Sequence, residues 1–387
     1  MANIATARNT ANIQQARRIV DMAKEIALLD PNDSPFVTFL KLAKKSVRVA
    51  KSPKIEWLED DLVGNATQVN NGSGISISTS STSIAVDDGS IFSVGDLISI
   101  PAYNVVYRIT AISTNTLTAI QFGTSVASGT IADDSVVLKL GNAMEEGSQV
   151  PNYITTQETA CFNYTQIFRT PVGMTNTELA SDLYGGNDRA YQRKKKGLEH
   201  KRDIARALYF GAKNQDTSGT APRRTLGGLT SFLTQTQAFA AAGTQLTYLN
   251  FDTYVAQKVF AHGSKEKLLI AGPNLMTMIN SWAEKKLVTD VDPAATYGIR
   301  VKNLITSYGD LKVIYDPLLA DGYHAGYGFV LDTDNIRYAY LQGRDTKLYT
   351  DIQANDVDGV IDEYLTECSL EVKLPNTHML ITGAYVA

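Results

Sequence analysis

At 387 residues the chain is too long for one ordinary core, and the usual size of roughly 100 to 200 residues per domain predicts two or three units. Apolar residues make up 44% and charged residues 20%, the balance of a folded globular protein, which excludes a largely disordered or membrane-embedded chain. With 36 basic and 40 acidic residues the formal net charge is -4, so no overall positive field draws the chain to nucleic acid and any DNA contact must be local.

The opening MANIATARNTANIQQARR has no apolar run behind a basic start, which argues against a secretory signal, and no segment approaches the roughly 18 apolar residues of a membrane span. Ile13, Ala16, Val20, Ala23 and Ala27 fall at alternating spacings of three and four, the seam of an amphipathic helix that stops at Asp30-Pro31. That seam needs a partner, on its own chain or on a neighbouring one. After the turn Asn32 to Pro35, Phe36 to Lys45 reads as a short helix with Phe36, Phe39, Leu40 and Ala43 on one face. Ser46 to Glu56 alternates as an extended strand would.

The composition then changes. Residues 65–141 hold seven charged residues in 77 and twenty-two serines and threonines, with short β-rich runs such as Ile84 to Val86, Leu97 to Ile100 and Val105 to Ile112 between turn signals. This pattern predicts a small all-β barrel or sandwich, inserted between strand-like stretches on either side. Asp188 to Phe210 is the strongest helix, with Ala190/Tyr191, Gly197/Leu198, Ile204/Ala205 and Leu208/Tyr209 along one stripe and Gly211 as its C-cap. Asn214 to Gly228 reads as a polar loop, and Phe251 to Ala261 as a helix stopped by Gly263. Lys267 to Ala271 is a buried strand leading through Gly272-Pro273 into a helix bearing Leu275, Ile279 and Trp282. Near the end, Tyr364, Thr366, Cys368, Leu370 and Val372 alternate with charged or polar residues as in a half-buried strand, and Pro375-Asn376 turns the chain into a second strand, His378 to Thr382.

Chemistry is hard to find. His200, His262, His324 and His378 are scattered singly, and there is no HExxH, GxSxG, GxxxxGK[ST] or strand-led GxGxxG pattern. Cys161 and Cys368 support neither a disulfide framework nor a CxxC motif and read as small core residues. The acid pairs Asp60-Asp61 and Glu145-Glu146 read as solvated surface. Eight basic residues between Arg189 and Arg206 admit a phosphate-contacting face; the simpler reading is a solvated helix with pairs such as Lys195 with Glu199.

The order of elements resembles the α+β major capsid protein fold of tailed double-stranded DNA phages, in the group whose extended loop (E-loop) carries an inserted β domain. The local matches are Leu29 to Phe36, Glu56 to Leu62, Ala143 to Ser148, Lys201 to Leu208 and Leu226-Gly227-Gly228-Leu229. The resemblance implies an N-terminal arm at 1–45, an E-loop at 46–64 and 142–172, the inserted β domain at 65–141, a peripheral domain with a long spine helix at 173–240 and 346–387, and an axial domain at 241–345. It implies a shell protein without cofactor, metal or active site that self-assembles into hexamers and pentamers around packaged double-stranded DNA, touching the DNA only non-specifically. Phe36, Trp57 and Tyr153 are the expected assembly contacts. A separate scaffolding protein, a portal and a decoration protein are the implied partners, with assembly in the host cytoplasm and no membrane. An encapsulin-like nanocompartment shell and a phage surface carbohydrate-binding protein are the other readings.

Overall fold

The computed structural model describes residues 35–42, 47–78, 81–122, 129–148, 150, 153–181, 188–239, 246–286 and 302–384. The helix expected over Ile13 to Ala27 lies outside them. The chain divides into two compact units, one of Met1–Trp57 with Cys161–Ala387 and one of Leu58–Ala160.

The first unit is organised by one long strand, Gly359–Val372. Gln166–Thr175 runs antiparallel along it, from Gln166 opposite Cys368 to Thr175 opposite Gly359. Pro171, which has no N–H to give a ladder, fits the outer position of that strand in the sheet. Ile336–Leu341 and Lys347–Tyr349 pair with the other side, and Val47–Ala50 extends the sheet parallel to Ile336–Leu341. The stretch expected as one strand, Ser46 to Glu56, is thus two: Val47–Ala50 and Lys54–Glu59, the second pairing with Thr159–Tyr164. The break falls at Lys51-Ser52-Pro53, where Pro53 offers its carbonyl to Thr165 N at 2.8 Å.

Alternation along the long strand is real, but the half-buried expectation fails. From Thr366 to Val372 every residue is buried on both faces. Acids survive there because each meets a cation: Glu367 Oε2 lies 2.6 Å from Arg344 Nε, and Glu371 Oε2 accepts from Arg48 Nη1 at 2.5 Å.

The long helix runs Asp188–Phe210, as its pattern predicts. Its buried residues are confined to the second half, at His200, Ile204, Ala205, Leu208 and Tyr209. The first half is tied by ions instead: Arg189 Nη2 donates to Asp362 Oδ1 at 2.7 Å and Arg193 Nε to Asp362 Oδ2 at 2.8 Å. At the helix end Gly211 does not serve as a left-handed cap. It permits a close backbone approach, since a Cβ there would lie 2.5 Å from Ala207 O and 2.6 Å from Leu226 O. Gly228 N donates to Gly211 O at 2.8 Å, closing the contact. The polar loop between them contains a short hairpin, Asn214–Asp216 with Arg223–Thr225. The helix Pro35–Leu42 lays Phe36, Val37 and Leu40 into the same core.

A second, six-stranded sheet has the order Thr236–Ala238, Met379–Thr382, Gly328–Leu331, Glu266–Ala271, Asp310–Tyr315, Lys302–Ile305. Helix Pro273–Lys286 supplies Leu275 and Ile279 to its core. The expected helix over Phe251 to Ala261 is present as Tyr248–Val259, with a wider π-helical turn at Asp252–Ala256. The last strand leaves the long one it follows and joins this sheet, because Leu374 is left-handed (φ 49°) and Pro375–Thr377 forms a 3-10 turn. Residues 379–382 therefore pair within the 266–331 sheet rather than with the 359–372 sheet.

His378 sits buried at that junction. Its Nδ1 accepts from Asp332 N at 2.9 Å and its Nε2 donates to Lys373 O at 3.1 Å, which holds the neutral ring, and burial pushes its pKa from 6.5 down to about 4. The unfolded chain takes up this proton first, so stability present above pH 6.5 is lost as the pH falls through 4, by about 3 kcal/mol in full. His378→Gln, which cannot titrate, should be less stable than wild type at pH 7. Urea melts should show that gap shrinking steadily towards pH 4; a constant gap would contradict the assignment.

The unit Leu58–Ala160 is built of strands. Its main sheet has the order Ala66–Gln68, Val136–Asn142, Asp96–Ile100, Val105–Ser113, Thr116–Gln121, Thr82–Ala85. The two outer strands meet through a Val69–Val86 bridge, with Asn70 N donating to Ala85 O at 2.9 Å and Asp87 N to Gln68 O at 3.0 Å. The sheet closes into a barrel, which removes the open edges that would invite strand-to-strand aggregation. Ile98, Ile100, Val105, Tyr107, Ile109 and Leu117 alternate into its interior.

Candidate assembly surface

Among the described residues no three His, Cys, Asp or Glu side chains converge as metal ligands. His200 is consumed by two hydroxyls, Thr170 Oγ1 at 2.9 Å and Thr366 Oγ1 at 2.8 Å, and His324 pairs with Asp321 at 2.6 Å. Cys368 is buried, its thiol pushed up to about 12 by burial, while Cys161 is half-exposed. The acids Asp60, Asp61, Glu145 and Glu146 are exposed. In the basic stretch, Arg189 and Arg193 serve Asp362, and Glu199 takes Lys196 at 2.6 Å.

The three side chains expected to touch neighbouring copies have different fates. Phe36 is 1% exposed and stacks on Tyr209 with ring centroids 4.8 Å apart. Its ring is thus covered within its own chain. Trp57 is 6% exposed, with its ring 6.0 Å from that of Phe232. The strand Lys54–Glu59 turns Ile55 and Trp57 inward and Lys54, Glu56 and Leu58 outward. Tyr153, in contrast, is 95% exposed.

Tyr153 is not isolated. In the same unit Leu62 is 91% and Val150 93% exposed, and Leu58 is exposed as well. Sequence reasoning passed over these three. Leu62 follows two acids and Val150 precedes a proline, so neither belongs to a periodic apolar run. The available signal was that mismatch: a large apolar residue in a polar, aperiodic stretch has no core to enter. Thr156 Oγ1 donates to Asp60 Oδ1 at 2.9 Å and joins the outgoing and returning segments.

The base of this excursion is fixed. Asn163 is buried and its amide is fully used: Nδ2 donates to Gly227 O at 3.0 Å and Leu370 O at 2.7 Å, while Oδ1 accepts from Gly227 N at 2.8 Å and Tyr164 N at 2.9 Å. Thr165 Oγ1 donates to Glu367 Oε1 at 2.8 Å, and the Lys213 ammonium lies 4.0 Å from the Phe162 ring centroid. The paired strands Lys54–Glu59 and Thr159–Tyr164 are thus held at their base, while Leu62, Val150 and Tyr153 lie outside any regular strand and are almost fully exposed.

The family model for the SU10 major capsid protein matches residues 3–385. The chain belongs to the SU10 major capsid protein family. The chain is 24% identical over 234 residues to a major capsid protein of Pseudomonas phage PaMx41, a match covering 58% of this chain and 56% of that one. It therefore spans little more than half the length of that curated relative. Among solved structures, the capsid protein is similar to the capsid of cyanophage P-SCSP1u, with 11% identity, full coverage of both chains and a TM-score of 0.45. It is also similar to the capsid of a native GTA particle, with 11% identity, 98% of this chain and 100% of that one covered, and a TM-score of 0.49.

Proposed function

We propose that this capsid protein assembles into the hexamers and pentamers of a closed icosahedral head that encloses double-stranded DNA, with the exposed apolar side chains of the excursion reaching onto neighbouring subunits. In this reading 46–64 and 142–172 are the E-loop, 65–141 the β domain inserted in it, 173–240 and 346–387 the peripheral domain, and 241–345 the axial domain. The protein meets DNA by non-specific contact, and a scaffolding protein, a portal and a decoration protein are partners in the host cytoplasm. The observation that carries the reading is the near-complete exposure of Leu62, Val150 and Tyr153 on chain outside the regular strands. Each such side chain contributes about 1.5 to 3 kcal/mol once buried at an interface. Contacts of that size become decisive when each subunit is held by several neighbours at high effective concentration.

The test separates folding from assembly. Val150→Ser with Tyr153→Ser should leave the subunit's melting unchanged to within about 0.5 kcal/mol, because both side chains are almost fully exposed. The same variant should lose at least about tenfold in assembled fraction by sedimentation, since 1.4 kcal/mol is a factor of ten. Assembly at the wild-type level would show that the excursion is not the contact.

A further inference from the structure

Between the strands Ile336–Leu341 and Gly359–Val372 the chain forms a flap, residues 342–358, that is exposed over most of its length. Leu348, Tyr349, Ile352 and Val357 are partly exposed there, the first two on the strand Lys347–Tyr349 that pairs with the long one, and four aspartates of the flap outnumber Arg344 and Lys347. Asp356 and Asp358 are exposed, and Asp358 Oδ1 also accepts from Asn176 Nδ2 at 2.5 Å. On the same unit the long helix gathers cations to one side. Lys194 and Lys201 are spaced by seven residues, as are Lys195 and Arg202, so the four share a side of the helix. Gly197 and His200 face the long strand instead, at Tyr364 and Thr366. Lys194 and Lys201 are exposed, and Lys195 and Arg202 are half-exposed. The flap and the helix are already matched once within the chain, where Arg189 Nη2 donates to Asp351 Oδ1 at 2.8 Å.

We propose that the flap 342–358 of one copy docks on the basic side of the long helix of a second copy, with Asp356 and Asp358 meeting Lys194 and Lys195. The inference rests on the reading that the chain assembles with itself, and it adds a second contact distinct from the excursion. The two patches differ, so the contact is not self-complementary and passes head to tail from copy to copy. Opposed rim charges chiefly set orientation and speed of encounter, and salt screens them.

Charge reversal in the full chain tests the pairing. The variants are Asp356→Lys with Asp358→Lys, Lys194→Glu with Lys195→Glu, and all four together, each first checked for wild-type melting. Either pair alone should lower the assembled fraction at least tenfold at low salt, and the combination should recover it to within about threefold. Single reversals that assemble like wild type, or a combination that stays as poor as its parents, would overturn the docking. So would a helix reversal that leaves shells intact and lowers only their DNA content, since the lysines would then be serving phosphates. If the wild type makes no closed shells, the capsid reading itself fails. The docking is then read separately, by sedimentation of small oligomers, with the same loss and recovery expected and their absence overturning it.

Discussion

Gly228→Ala should destabilise the subunit by about 3 kcal/mol, the upper part of the range for overpacking a core. A Cβ at residue 228 would lie 2.6 Å from Gly211 N, 2.7 Å from Ala207 O and 2.9 Å from Leu208 O. All three are backbone atoms at the end of the long helix, so no side chain can swing aside. Gly173→Ala is the matched control, because its Cβ would meet nothing within 4 Å. It should be neutral or gain a few tenths to about 1 kcal/mol from a less flexible unfolded chain. Denaturant midpoints of the two variants check both expectations. Equal effects would mean that the close approach of residues 211 and 228 contributes nothing.

Asp362→Asn should cost about 3 kcal/mol at neutral pH, since removing one partner of a buried charge cluster leaves the others uncompensated. Asp362 is buried and takes Arg189 and Arg193 together, and the two guanidiniums hold its carboxyl well below the usual carboxylate range. A carboxyl depressed in the folded state stabilises above its unfolded pKa and loses that contribution as the pH falls. Wild type should therefore weaken below about pH 4 more than the variant does, and the two curves should converge in acid. A gap independent of pH would show that shape, not charge, holds the first half of the long helix.

Much of the fold was legible because it follows local rules. The bounds of Asp188–Phe210 followed from periodicity, and the strand–helix unit Glu266–Ala271 with Pro273–Lys286 from an apolar run and a proline at the first helical turn. Local rules failed where distant chain supplied the answer. Glu367 and Glu371 look like solvent-facing positions of an alternating strand, yet Arg344 and Arg48 reach them from other segments and allow their burial. Gly211 looks like a cap, and only the approach of Gly228 shows that it clears space for another backbone. The exposed apolar surface was half legible. Aromatic residues drew attention, so Tyr153 was singled out with Phe36 and Trp57, although the last two fill their own core. Leu62 and Val150 carry no periodic signal at all, and their meaning comes from their near-complete exposure.

In the proposed function this chain builds a closed shell from many copies of itself. Electron microscopy of the purified full chain, alone and with a scaffolding protein, tests it most directly. Closed particles with icosahedral symmetry, in which the segments around Leu62, Val150 and Tyr153 lie against neighbouring subunits, are the predicted result. A monodisperse monomer at high concentration under both conditions would contradict it.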